Sequence, residues 1–361
     1  MQSQQRSEFK AGTAQLNVIS LNANGLNSPK KRILLSSELR HLKAQVAFVQ
    51  ETHFKISSVP RWSNKYFPDI HSSIPQRNKT KGVAILFGRN FNFKVLSTKK
   101  DPNGRFVFVK GTLGTQKLTF ANIYLPNEHQ DTTFHTITEA LLGFTEGLLI
   151  LGGDMNVPLD PAIDCSKGIS SIATNLNRNI TKDLHRLQVI DAWRLARPTE
   201  RNYTFYSAKH DVYTRIDYLF LSQHHLGDLG KVEIFTRSWS DRAPISLSVS
   251  LNTDSPRANT WRLNEAGLKD TVFLDELKQA LTNYFKEDVS PITIWEAHKC
   301  YIRGILIQLC ARRKKAHKAK HEELLSEIRK LEITHKSTPT AAILSQLVTL
   351  RTELANHQSF H

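Results

Sequence analysis

The sequence predicts an α/β fold, a mixed sandwich followed by a helical extension, and three observations carry that prediction. Ten short apolar runs, rich in β-branched and aromatic residues and mostly bounded by Gly, Asn, Asp or Pro, fill the first 250 residues with helical stretches between them. The Ser/Thr/Asn/Asp/Pro cluster "NTDSPRANT" at 252–260 reads as a linker. Beyond it, strand patterning gives way to helical periodicity.

Taken in order, "QLNVISLN" is the first strand, and helical spacing over 29–43 follows it. "AQVAFVQE", "GVAILFG", "RFVFVKGTL" and "KLTFANIYL" are further strands, and a helix is expected over 131–145. "LLILGGD" precedes a helix over 176–188; "YTFYS", "IDYLFLS", "KVEIFTR" and "PISLSVSL" complete the strands. The spacing is too irregular for a TIM barrel or a repeat protein. Helices are then expected over 264–286, 292–335 and 339–357. Leu324, Ile328 and Leu331 form one apolar stripe and Leu347, Leu350 and Leu354 another, so "THKSTPT" between them is the turn of a helical hairpin. The run "ARRKKAHKAK" at 311–320 is a basic helical face, either solvated or in contact with nucleic acid. The organisation expected is a disordered N-terminus over 1–13, a domain over 14–251, a linker over 252–263 and a basic helical extension over 264–361.

Composition narrows the partners. The chain has 361 residues, 40% of them hydrophobic, and a net charge of +16 with a pI near 9.7. Such a balance suits a polyanion, nucleic acid before an acidic membrane surface, unless the charge is merely solvated. Residues 1–250 carry 32 Lys and Arg against 20 Asp and Glu, so most of the excess lies there. Cys165, Cys300 and Cys310 are too few and too scattered for a disulfide framework or a zinc site, which implies a reducing compartment, nucleus or cytoplasm. No apolar signal region and no membrane-length apolar window is present, so neither secretion nor a membrane partner is expected. Oligomeric state leaves no mark.

Four acids share one kind of position. Glu51 closes "AQVAFVQE", Asp154 closes "LLILGGD", Asp217 opens "IDYLFLS" and Asp241 precedes "APISLSVSL". Each alone is an ordinary turn or cap residue; together they suggest a mouth where strand ends converge. Like-charged carboxylates repel by roughly 4 kcal/mol per pair at about 4 Å in an effective dielectric near 20. Oxygen ligands without His or Cys suit a hard cation such as Mg²⁺, which shares its shell with phosphate. Asn22 and Asn24 in "LNANGL" sit at the end of the first strand, although Asn before Gly is also a common turn. Asp154 and Asn156 in "GGDMN" lie on one face of an extended segment, and Tyr124 in "NIYLPN" is a hydroxyl donor or a packing residue.

"LNANGL", "QETH", "KGVAILF", "NIYLPN", "GGDMN", "YTRIDYLF" and "WSDRAPI", in this order, resemble the exonuclease–endonuclease–phosphatase superfamily. They are most similar to the apurinic-endonuclease-type nuclease of non-LTR (long interspersed element) retrotransposon polyproteins, over residues 14 to 250. The resemblance implies a four-layer α/β sandwich of two mixed sheets flanked by helices. It implies an endonuclease that nicks double-stranded DNA to leave a 3′ hydroxyl, with Mg²⁺ or Mn²⁺ as cofactor. "TWRLNEAGLKD" and the basic helical segment resemble the region joining nuclease and reverse transcriptase, with RNA as a further partner; no polymerase motif occurs in the chain. By position, the resemblance makes Glu51, helped by Asn22, the main metal ligand, with Asp241 nearby. Tyr124 and Asn156 would hold the scissile phosphate, Asp154 would align or deprotonate the attacking water, and Asp217 would orient a catalytic histidine. Asn24, Thr204, Thr214 and Arg215 would face the substrate, and "SAKHDVY" falls at the hairpin that probes the DNA groove.

One position departs from the pattern. Where the family has Ser-Asp-His, this chain has Ser240, Asp241 and Arg242. An imidazole exchanges a proton near neutral pH and a guanidinium does not. A bidentate Arg242–Asp217 pair is expected instead, with turnover lowered on the order of 100- to 10,000-fold. His53, beside the metal ligand in "QETHF", is read as structural. Competing readings are a DNA-binding module without catalysis, from a decayed or domesticated element, and a superfamily phosphatase acting on a lipid or inositol phosphate.

Overall fold

A computed structural model describes residues 13–76, 81–167, 174–252, 268, 270–284 and 291–359. The strands are β1 (Thr13–Asn22), β2 (Val46–Gln50), β3 (Asp69–Ser73), β4 (Val83–Phe87), β5 (Lys94–Lys100), β6 (Phe106–Leu113) and β7 (Gln116–Tyr124). They continue as β8 (Leu148–Asp154), β9 (Val189–Asp191), β10 (Phe205–Ser207), β11 (Val212–Thr214), β12 (Asp217–Ser222), β13 (Leu229–Ile234) and β14 (Ile245–Asn252). The helices are α1 (Pro29–His41), α2 (Gln130–Leu142), α3 (Pro161–Asp164), α4 (Thr174–Arg186), α5 (Ala192–Ala196), α6 (Thr271–Tyr284), α7 (Pro291–Ser337) and α8 (Ala341–Ser359).

Two six-stranded sheets run in the orders β13-β14-β1-β2-β4-β3 and β5-β6-β7-β8-β12-β9, and β10-β11 form a separate two-stranded ribbon. Each sheet is antiparallel except for one central parallel pair, β1 with β2 and β7 with β8. A parallel pair needs a crossover, and α1 and α2 supply it. Side chains alternate along each strand, and that alternation builds the layers. Leu16 and Val18, Phe48, Leu118 and Phe120, Ile150, Leu219 and Leu247 face the other sheet and form the central core. Ile19, Leu21, Ala47 and Val49 face α1 with Leu35 and Leu39, whereas Ala121, Leu149, Leu151 and Phe220 pack with Phe134, Ile137 and Ile180 of α2 and α4. The chain therefore forms the four-layer α/β sandwich that the motifs imply.

Followed along the strands, the inward rows change character. Leu16 and Val18 give way to Ser20 and Asn22, Phe48 to Gln50, Phe120 to Asn122, and Ile150 to Asp154. Buried polar groups must be paired, and here they pair with one another. Gln50 Nε2 donates to Ser20 Oγ (3.1 Å) and Asn122 Oδ1 (2.7 Å), and Asn122 Nδ2 donates to the carbonyls of Val49 (3.0 Å) and Ala84 (2.8 Å). This belt separates the apolar core from the mouth.

Some elements escape the apolar pattern. β5 is an edge strand of largely polar residues, β9 and β11 have three residues each, and α3 and α5 are too short to show a period. Thr13 already pairs with Asn252, so the strand begins inside the stretch expected to be disordered; residues 1–12 lie outside the described residues. The linker beyond Asn252 and the first residues of the helix expected from 264 also lie outside them.

The hairpin of α7 and α8 closes on Leu324, Ile328, Leu347 and Leu354 and packs against the sandwich. α8 lies along α1, where Lys30 Nζ donates to Asn356 Oδ1 (3.2 Å), and the rings of His41 and His321 are 3.8 Å apart. No described helix is long and apolar enough to cross a membrane.

Candidate active site

Beyond the polar belt, the ends of β1, β2, β7, β8 and β12 meet. Asn22, the last residue of β1, donates from Nδ2 to Glu51 Oε1 (2.8 Å) and Asp154 Oδ2 (2.9 Å), so one amide joins acids from both sheets. The backbone is specially shaped here. Asn24, Glu51, His53 and Asn156 all have positive φ, of 43°, 53°, 57° and 51°. Asn tolerates that region, but Glu and His are held in it at a cost of about 1 kcal/mol each. Glu51 leaves β2 by this turn, and its carbonyl accepts from Gly25 N (2.8 Å), which locks the β1–α1 loop to it. On the other sheet, Gly153 has φ +134°, and a Cβ there would lie 1.9 Å from the Ile123 carbonyl oxygen. The close approach of β7 and β8 just before Asp154 thus requires the "GG" of "GGDMN".

Asp154 is fully buried. Its Oδ1 accepts from Asn156 N (2.9 Å), and Asn156 Nδ2 donates to Leu125 O (2.7 Å), which holds the loop after β8 against the end of β7. Asp217 pairs with Asp154 across the β12–β8 ladder. Arg242 enters between these two acids: its Nη2 is 3.1 Å from Asp154 Oδ2 and its Nη1 is 3.5 Å from Asp217 Oδ2. The bidentate pair with Asp217 expected from the sequence is not formed; a single guanidinium bridges two acids and lies closer to Asp154. Its carbon sits 4.2 Å from the centre of the Phe205 ring, and the Arg242 and Phe205 backbones form a β-bridge. Ser240 Oγ donates to the Asn22 carbonyl (2.7 Å), tying this segment to the end of β1.

The charges follow from burial and from these partners. Burial alone would raise the Glu51 carboxyl, but His53 (Nε2 3.0 Å from Oε2), Asn22, the Arg242 charge and Tyr124 outweigh it, and its pKa falls below the usual value. Glu51 is therefore an anion. Burial pushes Asp154 upward against the pull of Arg242, Asn22 and the Asn156 N–H. Asp217, pushed by burial and by the charge of Asp154, reaches about 7 although Arg242 and Thr204 oppose the shift. The single guanidinium opposes the rise of both acids only in part, and Asp217 Oδ1 has no partner. Burial would discharge Arg242, but Asp154 and Asp217 keep it charged. Burial, Glu51 and Asp154 raise Tyr124, so its hydroxyl stays a donor.

Two residues expected to face substrate, Thr204 and Arg215, do not. Thr204 is fully buried, and its Oγ1 accepts from Ile216 N and Asp217 N (both 3.2 Å), so it braces the start of β12. Arg215 is 1% exposed; its Nε and Nη2 bind Asp164 (2.8 and 2.9 Å) and Nη2 also reaches Asp191 Oδ2 (2.7 Å). A guanidinium this buried, paired with the buried Asp164 and the half-buried Asp191, is structural and does not reach a phosphate at the surface. Thr214 is half-buried in the ribbon, where its carbonyl accepts from Thr204 N (3.0 Å). Asn24 is exposed at the mouth and Asp241 is exposed beside Ser240.

Two cations at the mouth escaped the sequence reading. Lys31 Nζ donates to the carbonyls of Ala23 (3.3 Å) and Asn24 (2.5 Å); partial burial lowers its pKa against the pull of Asp241 and Glu51, which places it beside both acids. Arg105 lies 5.2 Å from the Tyr124 ring centre and donates to the Tyr124 carbonyl (3.4 Å). Neither stands in a run that marks it.

The donors available to a metal are few. Among the described residues no three His, Cys, Asp or Glu side chains converge as a cage. Mg²⁺ typically takes only one or two protein carboxylates, with water and phosphate completing its shell. An anionic, solvent-reachable Glu51 beside Asn22, with Asp241 exposed nearby, fits such an ion and does not fit a zinc-type site.

Comparison with known proteins places this arrangement. Residues 19–238 match the Endonuclease/Exonuclease/phosphatase family. A transposon TX1 uncharacterized 149 kDa protein of Xenopus laevis is 23% identical over 289 residues, which cover 78% of this chain and 22% of that protein. The chain thus spans about a fifth of the length of this relative. Among solved structures, an AP endonuclease from Leishmania major superposes with a TM-score of 0.54 at 14% identity, over 65% of this chain and 87% of that one. The APE2 catalytic domain of Xenopus laevis gives 0.52 at 18% identity, over 66% and 94%. At these identities the likeness is one of fold.

Proposed function

The chain belongs to the Endonuclease/Exonuclease/phosphatase family, and we propose that within it this chain is a DNA-directed, divalent-metal-dependent endonuclease of mobile-element origin whose hydrolytic step is impaired by Arg242. The net charge of +16 supports a polyanionic substrate, and the transposon relative supports the origin. Glu51 and Asn22, with Asp241, would hold Mg²⁺ or Mn²⁺, which when bound supplies positive charge to the phosphate. Tyr124, a hydroxyl donor, and Asn156 would hold the scissile phosphate, and Lys31 and Arg105 would add charge at the rim. Asp154 would align or deprotonate the attacking water.

The single observation that carries the impairment is the guanidinium between Asp154 and Asp217. It occupies one oxygen of each acid and fills the place an imidazole would take between them, and it can neither give nor take a proton near neutral pH. Arg242→His is therefore expected to nick supercoiled plasmid in Mg²⁺ at least roughly tenfold faster than the parent, at the low end of what an acid–base group supplies. Glu51→Ala added to that variant should abolish the gain, because the two act in one step. Equal rates for the Arg and His forms would refute the assignment.

A second reading, DNA binding without cleavage, is favoured by how fully Arg242 is built in. It is 6% exposed, stacked on Phe205 and bridged to it through the backbone. Duplex binding by both forms with no nicking by either identifies that case, and phosphate release from inositol phospholipid rather than plasmid nicking identifies a phosphatase.

A further inference from the structure

The β10–β11 ribbon stands at the edge of the mouth. Its base is tied to the site, since Phe205 stacks on Arg242 and the Thr204 carbonyl accepts from Ala243 N (2.8 Å). Its tip, residues 208–211, is exposed. One of its faces is aromatic, with Tyr206 and Tyr213 ring centres 4.6 Å apart and Tyr203 6.0 Å from Tyr213. Tyr213 is buried on that face, Tyr203 and Tyr206 are half-buried, and the end of α7 packs on them.

The contacts are specific. The Tyr213 hydroxyl lies 2.8 Å from His335 Nδ1, and the His335 ring meets Tyr206 edge-on at 5.2 Å. Burial holds the Tyr213 pKa up at about 12, so the hydroxyl donates and the imidazole nitrogen accepts. Lys336 Nζ sits 5.5 Å from Tyr203 and 5.7 Å from Tyr213 and donates to Asn202 Oδ1 (3.3 Å). Next to the ribbon, Arg237, which leads into the Ser240–Arg242 segment, pairs through Nε with Glu332 (3.3 Å), whose Oε1 also receives Arg351 Nη2 of α8 (2.7 Å). A two-stranded ribbon of three residues per strand is marginal alone, so its position depends on what covers it.

We infer that α7 supports the nucleic-acid surface from behind: Glu332 and His335, outside the family-matched residues, are positioning residues that hold the tyrosine ribbon against the mouth for a DNA duplex. This rests on the DNA reading proposed above. The ribbon tip, rather than α7, meets the duplex, and α7 keeps the ribbon in its binding position.

The test uses the full chain with His335→Ala, Tyr213→Phe, the two combined, and His335→Gln, which offers an acceptor again. Duplex affinity is measured by anisotropy over a range of salt, alongside hydrogen exchange at the amides of 205–214. If the unpinned ribbon is competent about one-fifth of the time, apparent Kd rises about fivefold with no change in salt slope, because no phosphate contact is lost. The single and double variants should fall together, His335→Gln should recover, and the ribbon amides should exchange faster in the variants that lose the bond. Unchanged affinity and exchange in both single variants would overturn the inference, as would additive losses with a shallower salt slope, which would make these residues DNA contacts. A parent that binds no duplex would instead sink the DNA reading, and the exchange measurement would still decide whether α7 holds the ribbon.

Discussion

Glu38 offers a sharp test of how the Ser240–Arg242 segment is held. It lies in α1, is 5% exposed, and accepts from Ser238 Oγ and Trp239 Nε1, both at 2.6 Å, immediately before Ser240–Arg242. Burial raises its pKa from 4.5 to about 7, with the two hydrogen bonds only partly opposing the shift. A carboxyl raised on folding contributes stability that is fully present below 4.5 and lost as pH rises through about 7. At 1.36 kcal/mol per unit, the part of this loss that falls between pH 5 and pH 8 is roughly 2 to 3 kcal/mol. Glu38→Gln keeps an acceptor for the indole N–H and offers the serine an amide, but carries no charge to desolvate. Urea unfolding of parent and variant at the two pH values should therefore show the parent losing that amount relative to the variant on going to pH 8. Comparing slopes rather than absolute stabilities cancels any fixed packing difference. Parallel pH dependences, within about 0.5 kcal/mol, would refute the claim that the fold raises this acid's pKa.

Arg215→Met should lower stability by about 3 to 5 kcal/mol, since it removes the guanidinium between Asp164 and Asp191 and leaves buried charge behind; a melting temperature close to the parent's would contradict the structural role. Duplex binding should weaken with salt at about −0.9 in log–log slope for each neutralised phosphate, and a flat response would remove phosphate contacts from the account.

Glu51 and Asp154 were legible because each ends a run of apolar residues, where alternation stops and a polar side chain must face a mouth. Asn156 was expected beside Asp154 on one face of an extended segment, but the strand ends at Asp154 and Asn156 turns at φ 51°, joined to that acid by its backbone N–H instead. Arg215 and Thr204 were misplaced for a physical reason. Between the end of β11 at Thr214 and the start of β12 at Asp217 the strand is interrupted, so the even–odd rule that puts Asp217 inside says nothing about Arg215. Lys31 and Arg105 come from a helix and a turn, and only the closing of the sandwich brings them to the acids. The bridge made by Arg242 was half legible: its position in "WSDRAPI" told that an imidazole was missing, but not that Asp154 would be the nearer partner. The docking of α7 was not legible at all, because Tyr213 and His335 are 122 residues apart and neither sits in a pattern that names the other.

The pairing of β1 with β14 has a consequence for the order in which the protein is made. Asn22, which joins Glu51 to Asp154, is held by Ser240, 218 residues further along the chain. At about 5–20 residues per second, a ribosome takes roughly 10 to 45 s to cover that distance. Asp154 is made 132 residues after Asn22, and from then until Ser240 both acids exist on nascent strands while the segment that brings Asp241 and Arg242 has not been translated. The cluster of Asn22, Glu51, Asp154 and Arg242 is therefore completed only when Ser240–Arg242 and the strand that follows, β14, have emerged from the ribosome.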